Sequence, residues 1–328
     1  MDNSLILDVK DLHVEYKTDE SNVYALNGIG LSLKHGETLG IVGETGAGKT
    51  TLALSILRLL PSRIGVVKKG EIYFEGKDLL KENEANMLMY RGKRISMIFQ
   101  DPMTSLNPLL TVGQQVAEVL NLHNYEKLSE HDINKKVDEM LEMVGIPAIR
   151  KGEYPHQFSG GMKQRVVIAI SLICNPELLI ADEPTTALDV TIQAQVLNLM
   201  QELKEKFGTS MLLITHDLGV VAQTCDSVAV MYAGEIVEYG TVEHIFEGVG
   251  HHPYTEGLFA SIPDMASTSK RLHPIEGLMP DMSLKVEGCR FAPRCSFSCN
   301  ACNEKQGMIE IDAGHFVRCR KYLKGDVV

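Results

Sequence analysis

The stretch Thr38-Leu39-Gly40-Ile41-Val42, running into Gly43-Glu44-Thr45-Gly46-Ala47-Gly48-Lys49-Thr50, decides the fold. An apolar run of strand length enters a loop of the form G-x-x-x-x-G-K-[ST], and a helical pattern follows from Thr50 to Leu60, stopped by Pro61. The glycines let backbone N–H groups close around phosphate oxygens at a helix N-terminus. Lys49 then supplies a point charge to the β and γ phosphates, and Thr50 a hydroxyl ligand for Mg²⁺. A glycine turn that matches by chance is the plainer reading, but it does not account for a strand before the loop and a helix after it.

Working outward, Ile95 to Phe99, Leu178 to Ala181 and Met211 to Thr215 are further short apolar runs, alternating with helical segments such as Val190 to Phe207 before Gly208. This alternation predicts an α/β core with a mainly parallel sheet. The first 35 residues alternate apolar and polar, as in Leu12-His13-Val14-Glu15-Tyr16, in the manner of antiparallel strands. Between Gln100 and Ser159 strand signals vanish, and Thr111 to Leu122 and His131 to Val144 read as amphipathic helices. After about Gly250 the periodicity decays. The expected division is a first domain over 1–250 with a helical insertion at about 101–165, and a small C-terminal extension over 251–328.

Three strand ends carry chemistry. Leu178 to Ala181 ends in Asp182-Glu183, at the edge of the sheet where α/β ligand sites form. One carboxylate can serve Mg²⁺, and the next can orient and deprotonate an attacking water. Gln100 and His216 follow the other two runs. Adjacent acids are usually solvated surface and a lone His is usually structural. Their joint placement on strand ends, downstream of a phosphate loop, reverses that weighting. Phe158-Ser159-Gly160-Gly161-Met162-Lys163-Gln164-Arg165 opens a helix and forms a second glycine-rich anion site, although Ser-Gly-Gly alone would be an ordinary capped turn.

With these motifs in this order, the sequence resembles the ATP-binding subunits of ABC transporters over nearly its whole length. The resemblance implies a P-loop NTPase core of RecA-like type with an antiparallel N-terminal subdomain, an inserted helical subdomain and a C-terminal extension. It assigns Gly43 to Thr50 and Thr51 to ATP, Gln100 to the Q-loop and Phe158 to Met162 to the signature. Asp182 would serve the metal with Thr50 and Gln100, Glu183 would be the base, Thr186-Ala187-Leu188-Asp189 the D-loop and His216 the switch histidine. Two subunits would dimerise head to tail, so that Ser159, Gly160 and Gly161 contact ATP on the partner's loop. Tyr16 matches the aromatic on which adenine stacks. The stretch Ile98-Phe99-Gln100-Asp101-Pro102-Met103-Thr104-Ser105-Leu106-Asn107-Pro108 and the segment His252-Pro253-Tyr254-Thr255 are similar to the oligopeptide/dipeptide importer type. The signature lacks the commoner Leu and Gln at its ends, but Phe158 and Met162 are familiar in this subgroup. Implied partners are two transmembrane permease subunits, a second ATPase subunit and, indirectly, an extracytoplasmic substrate-binding protein. Peptide is the implied cargo, with nickel or another small solute as the alternative, and a soluble ABC ATPase with an iron–sulfur regulatory module as the rival of another class.

Five of the seven cysteines, Cys289, Cys295, Cys299, Cys302 and Cys319, fall in the last 40 residues, which in a reducing compartment points to metal rather than disulfides. The spacing of Cys289, Cys295, Cys302 and Cys319 resembles the pattern that holds a 4Fe-4S cluster in this subgroup. Thiolates suit iron and zinc alike, so spacing alone does not choose, and Cys299 is surplus. The balance of 43 acidic against 32 basic residues argues against nucleic acid. No apolar run reaches the roughly 18 residues of a bilayer span, and Met1 to Lys10 does not read as a signal peptide. The expected location is the cytoplasmic face of the cell membrane, held peripherally.

Overall fold

The computed structural model describes residues 4–18, 21–124, 127–186, 188–261 and 274–323. They group into two compact units, each assembled from separated stretches of chain: residues up to 7 with 33–38 and 74–215, and residues 8–32 with 39–73 and 216–328.

In the first unit, the strand Leu178–Asp182 lies between Ile95–Ile98 and Ser210–Thr215, all parallel. Its register, with Ala181 opposite both Ile98 and Leu213, brings the C-terminal ends of the strands level. Every residue of Leu178–Asp182 and Ser210–Thr215 is buried, the mark of strands covered on both faces. This is why these segments read as continuous apolar runs rather than as alternations. From Ile98 to Leu178 the described elements are all helical. Val112–Leu122 is capped by a reciprocal Thr111–Gln114 box and buries Val112, Val116 and Leu120, one face at four-residue spacing. Glu130–Met143 is capped likewise by Ser129 and Asp132. Val190–Phe207 stops at Gly208, which takes φ 66° and closes the C-terminus in the left-handed conformation.

The second unit contains the neighbouring strands Leu5–Lys17 and Asn22–Lys34, with Gly65–Phe74 on the other side of the first. So short a connection between the first two makes them antiparallel, since a parallel pair needs a crossover of about a dozen residues. The strand Thr38–Val42 pairs in parallel with Ser227–Tyr232, which pairs antiparallel with Glu235–Thr241. The first helix covers Lys49–Ile56 and ends four residues before the Leu60 its pattern predicts, because Arg58 turns into the left-handed region at φ 52°.

The C-terminal segment joins this unit's own sheet. Its hairpin Ile309–Asp312 and His315–Val317 extends the sheet through pairing of Val317 with Glu238. Tyr232, Tyr254 and Phe291 form a buried aromatic cluster with ring centroids 4.6 to 5.5 Å apart, and Cys289 and Cys295 pack against it. The tail is therefore anchored by ladder hydrogen bonds and by an apolar core in common with Val42 at the end of the phosphate-loop strand. Among the described residues, no helix is long and apolar enough to cross a membrane.

Candidate functional site: a phosphate loop and a carboxylate strand

In the second unit, the loop Gly43 to Thr50 is shaped by close backbone approach. A Cβ on Gly43 would lie 2.0 Å from the Met231 carbonyl oxygen, and one on Gly48, at φ 101°, would lie 2.7 Å from that of Ala25. No side chain fits either place. Lys49 begins the helix Lys49–Ile56 and is 6% exposed. Its ammonium donates to the Gly43 carbonyl at 2.7 Å and to the Glu44 carbonyl at 3.1 Å, so the charge folds back over the loop it heads. Thr45 and Gly46 are exposed at the crest, while Ala47 is buried and Thr50 half-buried. The Tyr16 hydroxyl lies 3.2 Å from Thr51 Oγ1, which sets the aromatic beside the first turn of the helix. Loop N–H groups, a helix N-terminus and a fixed ammonium together make an anion site suited to a polyphosphate.

In the first unit, Asp182 ends its strand almost fully buried, and Glu183 follows it half-buried in the left-handed region at φ 47°. Such backbone strain costs on the order of 1–3 kcal/mol and gathers at functional positions. The Glu183 N–H donates to Ile214 O at 2.8 Å. Gln100 Nε2 donates to Glu183 Oε2 at 3.4 Å and the Thr186 hydroxyl donates to the same oxygen at 3.0 Å, so two of the expected site segments meet at one carboxylate oxygen. In the second unit, His216 is exposed, and Asp217 caps the helix Leu218–Thr224 that follows it. Ala187 lies outside the described residues.

Ser159 is the N-cap of the helix Gly160–Leu172 and makes no side-chain capping bond. A Cβ on Gly161 would lie 2.6 Å from Ile192 Cγ2, and one on Gly160 would lie 3.8 Å from Leu188 Cδ2. Asp189 caps the neighbouring helix by accepting the Ile192 N–H at 3.0 Å. The signature glycines are thus apposed to the segment that follows Glu183. Phe158 is buried beneath the Arg150 guanidinium, 4.5 Å from its ring centre, and Arg150 is itself held by Glu153.

The tail cysteines form no disulfide, and burial raises the thiol pKa of Cys289, to about 11, and likewise of Cys295, Cys302 and Cys319. Cys302 acts electrostatically on each of the other three, and Cys289 N–H donates to Cys302 O at 2.8 Å. Cys299 Sγ and Cys302 Sγ are 3.7 Å apart. Among the described residues, no three thiols come within 4.8 Å of one another. A cage for one tetrahedral ion, which needs sulfurs about 4 Å apart, is therefore not assembled.

The set that does meet that distance is Glu238, His251 and His315, which sequence reasoning missed. Glu238 is fully buried on its strand and accepts from His251 Nδ1 at 2.8 Å, His315 Nε2 at 2.9 Å and the His252 N–H at 2.8 Å. Those bonds hold its pKa below the usual carboxylate range despite burial. Charged Glu238 thereby ties the tail hairpin and the His252-Pro253-Tyr254 segment to one strand. An acid set between the apolar Ile236-Val237 and Tyr239 was the available signal.

Residues 26–186 match the ABC transporter family, and residues 237–302 match the oligopeptide/dipeptide transporter C-terminal region. The chain is 50% identical over 319 residues to the probable peptide ABC transporter ATP-binding protein y4tR of Sinorhizobium fredii, covering 96% of this chain and 94% of that one. It is 51% identical over 317 residues to the oligopeptide transport ATP-binding protein OppD of Bacillus subtilis, covering 95% and 88%. Among solved structures it is similar to a dimeric post-hydrolysis state of the ATP-binding cassette MJ0796 bound to ADP and Pi, with a TM-score of 0.65 and 29% identity over 72% of this chain and 98% of that one.

Proposed function

The chain belongs to the ABC transporter ATP-binding proteins of the oligopeptide/dipeptide type, and on that premise we propose that it hydrolyses ATP to drive uptake of di- and oligopeptides through partner membrane subunits. The observation that carries the cargo class is the peptide-transporter C-terminal region at 237–302, in a chain about half identical to peptide transport subunits. Residues 1–250 form the nucleotide-binding domain, with its helical insertion at about 101–165, and residues 251–328 form the extension.

The loop Gly43 to Thr50 with Thr51 takes the phosphates, Lys49 neutralises them and Tyr16 stacks on the adenine. Glu183 orients and deprotonates the attacking water, and Gln100 and His216 adjust that carboxylate and water to the presence of the γ-phosphate. Thr50, Asp182 and Gln100 offer hard oxygen donors, a set matched to Mg²⁺, which when bound offsets the charge of the phosphates. Ser159, Gly160, Gly161 and Asp189 serve the site of a second ATPase subunit, a related chain or a copy of this one. The head-to-tail dimer sits peripherally on the cytoplasmic face of the membrane against two permease subunits, and an extracytoplasmic substrate-binding protein supplies the cargo. Closure on ATP passes through Gln100 and the helical insertion to the permeases, and hydrolysis reopens the dimer.

Cys289, Cys295, Cys302 and Cys319 hold a 4Fe-4S cluster in this reading. Four soft thiolate donors suit iron, and the resemblance of their spacing to the cluster-binding pattern of this subgroup is what favours iron over zinc. Iron and sulfide analysis of anaerobically purified protein, beside a Cys289→Ser variant, decides it, and zinc without iron removes the cluster. For cargo, the complex reconstituted in vesicles takes up labelled oligopeptide only with hydrolysable ATP. Uptake of nickel with no peptide uptake overturns the assignment.

A further inference from the structure

Glu44, the second residue of the phosphate loop, is held from the C-terminal segment at two points. Its backbone N–H donates to the hydroxyl of Tyr254 at 2.8 Å. Its carboxylate is gripped by both terminal nitrogens of Arg294, Nη1 to Oε2 at 2.8 Å and Nη2 to Oε1 at 3.2 Å. This is the two-point fork that gives guanidinium–carboxylate pairs their directionality. The rest of the guanidinium is also placed: Nε donates to Glu276 O at 2.9 Å, Nη2 to Ile275 O at 3.1 Å and Nη1 to the Tyr232 hydroxyl at 3.3 Å. The Arg294 side chain is 6% exposed and Tyr254 is fully buried. Glu44 is half-buried, and an ion pair withdrawn this far from water is favourable only when its geometry is good and its remaining donors are satisfied, conditions this pair meets.

The consequence falls on the loop backbone. The Glu44 N–H is tied to Tyr254 and the Glu44 carbonyl receives Lys49 Nζ, so both peptide groups around Glu44 have fixed directions. A glycine-rich loop left to itself samples many conformations, only some of which direct its N–H groups inward. Fixing the loop in advance removes that ordering cost from ligand binding.

We propose that Arg294 and Tyr254 are positioning residues for ATP, and that the C-terminal extension is a brace which keeps the phosphate loop in its nucleotide-accepting shape. Neither residue touches the nucleotide; both act through Glu44. The inference rests on Gly43 to Thr50 being the ATP site.

The test uses the assembled transporter and reads KM for ATP separately from kcat. Arg294→Gln raises KM about tenfold, the scale of one charge-assisted fork, with kcat within about twofold of the parent. Glu44→Ala raises KM similarly, and the double variant is no worse than either single one, as coupling through one contact requires. Arg294→Lys recovers less than half of the loss, since an ammonium cannot form the fork. Tyr254→Phe raises KM about threefold. Lys49→Ala in the same assay separates the two claims: if it binds ATP like the parent, the loop is not the ATP site. If Lys49→Ala abolishes binding while Arg294→Gln and Tyr254→Phe leave KM unchanged, the brace is wrong and the loop stands. Should Arg294→Gln fail to assemble, Glu44→Ala and Tyr254→Phe decide by the same KM criterion.

Discussion

The side-chain amide of Gln100 donates to Glu183 Oε2 at 3.4 Å, and the hydroxyl of Thr186 shares that oxygen at 3.0 Å. One oxygen of the proposed base is therefore set by two neighbours. Gln100→Leu removes one of them, leaving ATP affinity within about threefold of the parent while kcat falls about tenfold. Equal loss in affinity and kcat, measured by ATP binding and steady-state turnover, would make the Mg²⁺ contact of Gln100, not its hold on Glu183, its main role.

Backbone crowding at the loop gives a graded prediction. Gly43→Ala puts a Cβ 2.0 Å from Met231 O and is expected to abolish ATP binding. Gly36→Ala meets nothing within 4 Å at φ 72°, so it costs only the left-handed strain of about 1–2 kcal/mol and keeps ATP binding. Thermal melting beside nucleotide binding separates the two variants.

Acid should loosen the tail through His252. This residue is 1% exposed, its Nδ1 accepts the Tyr254 N–H at 3.0 Å, and burial lowers its pKa to about 4. A depressed folded value contributes stability that is present above the unfolded value of 6.5 and is lost as pH falls towards 4. The loss approaches about 3 kcal/mol at one pKa unit per 1.4 kcal/mol. His252→Asn keeps a capping acceptor and removes the titration, so its melting temperature is flatter than the parent's between those pH values. Parallel curves for the two proteins would contradict this.

Glu238 and His251 shift in opposite directions. The carboxylate is lowered by its hydrogen bonds, so its contribution is present above 4.5 and is lost as pH falls through its folded value. The imidazole is raised by Glu238, so its contribution is present below 6.5 and is lost as pH rises through its folded value above that. Both act together between 4.5 and 6.5. There Glu238→Gln destabilises most, by on the order of 3 kcal/mol, and limited proteolysis should release the tail. A penalty that grows towards alkaline pH would contradict the pairing.

Much of the candidate site was legible because the residues proposed for it sit where strands end. Strands buried on both faces leave continuous apolar runs, and Asp182, Glu183, Gln100 and the loop follow such runs directly. The helices Val112–Leu122 and Glu130–Met143 announced themselves through Thr111 and Ser129 and a one-sided apolar pattern. What sequence did not yield depends on partners far along the chain. Arg294 meets Glu44 across 250 positions, and nothing local marks either residue for the other. The hairpin Ile309–Asp312 and His315–Val317 is too short to carry a strand signal, and its pairing with the strand of Glu238 makes the tail part of that sheet. The early end of the first helix turns on a positive φ at Arg58, which composition does not signal.

The most direct test of ATP hydrolysis by this chain is turnover by a Glu183→Gln variant in the assembled transporter. Loss of the general base should reduce turnover at least about a hundredfold while ATP stays bound in a closed dimer and peptide uptake stops. Turnover at the parent's rate would contradict the assignment of Glu183 and the mechanism built on it.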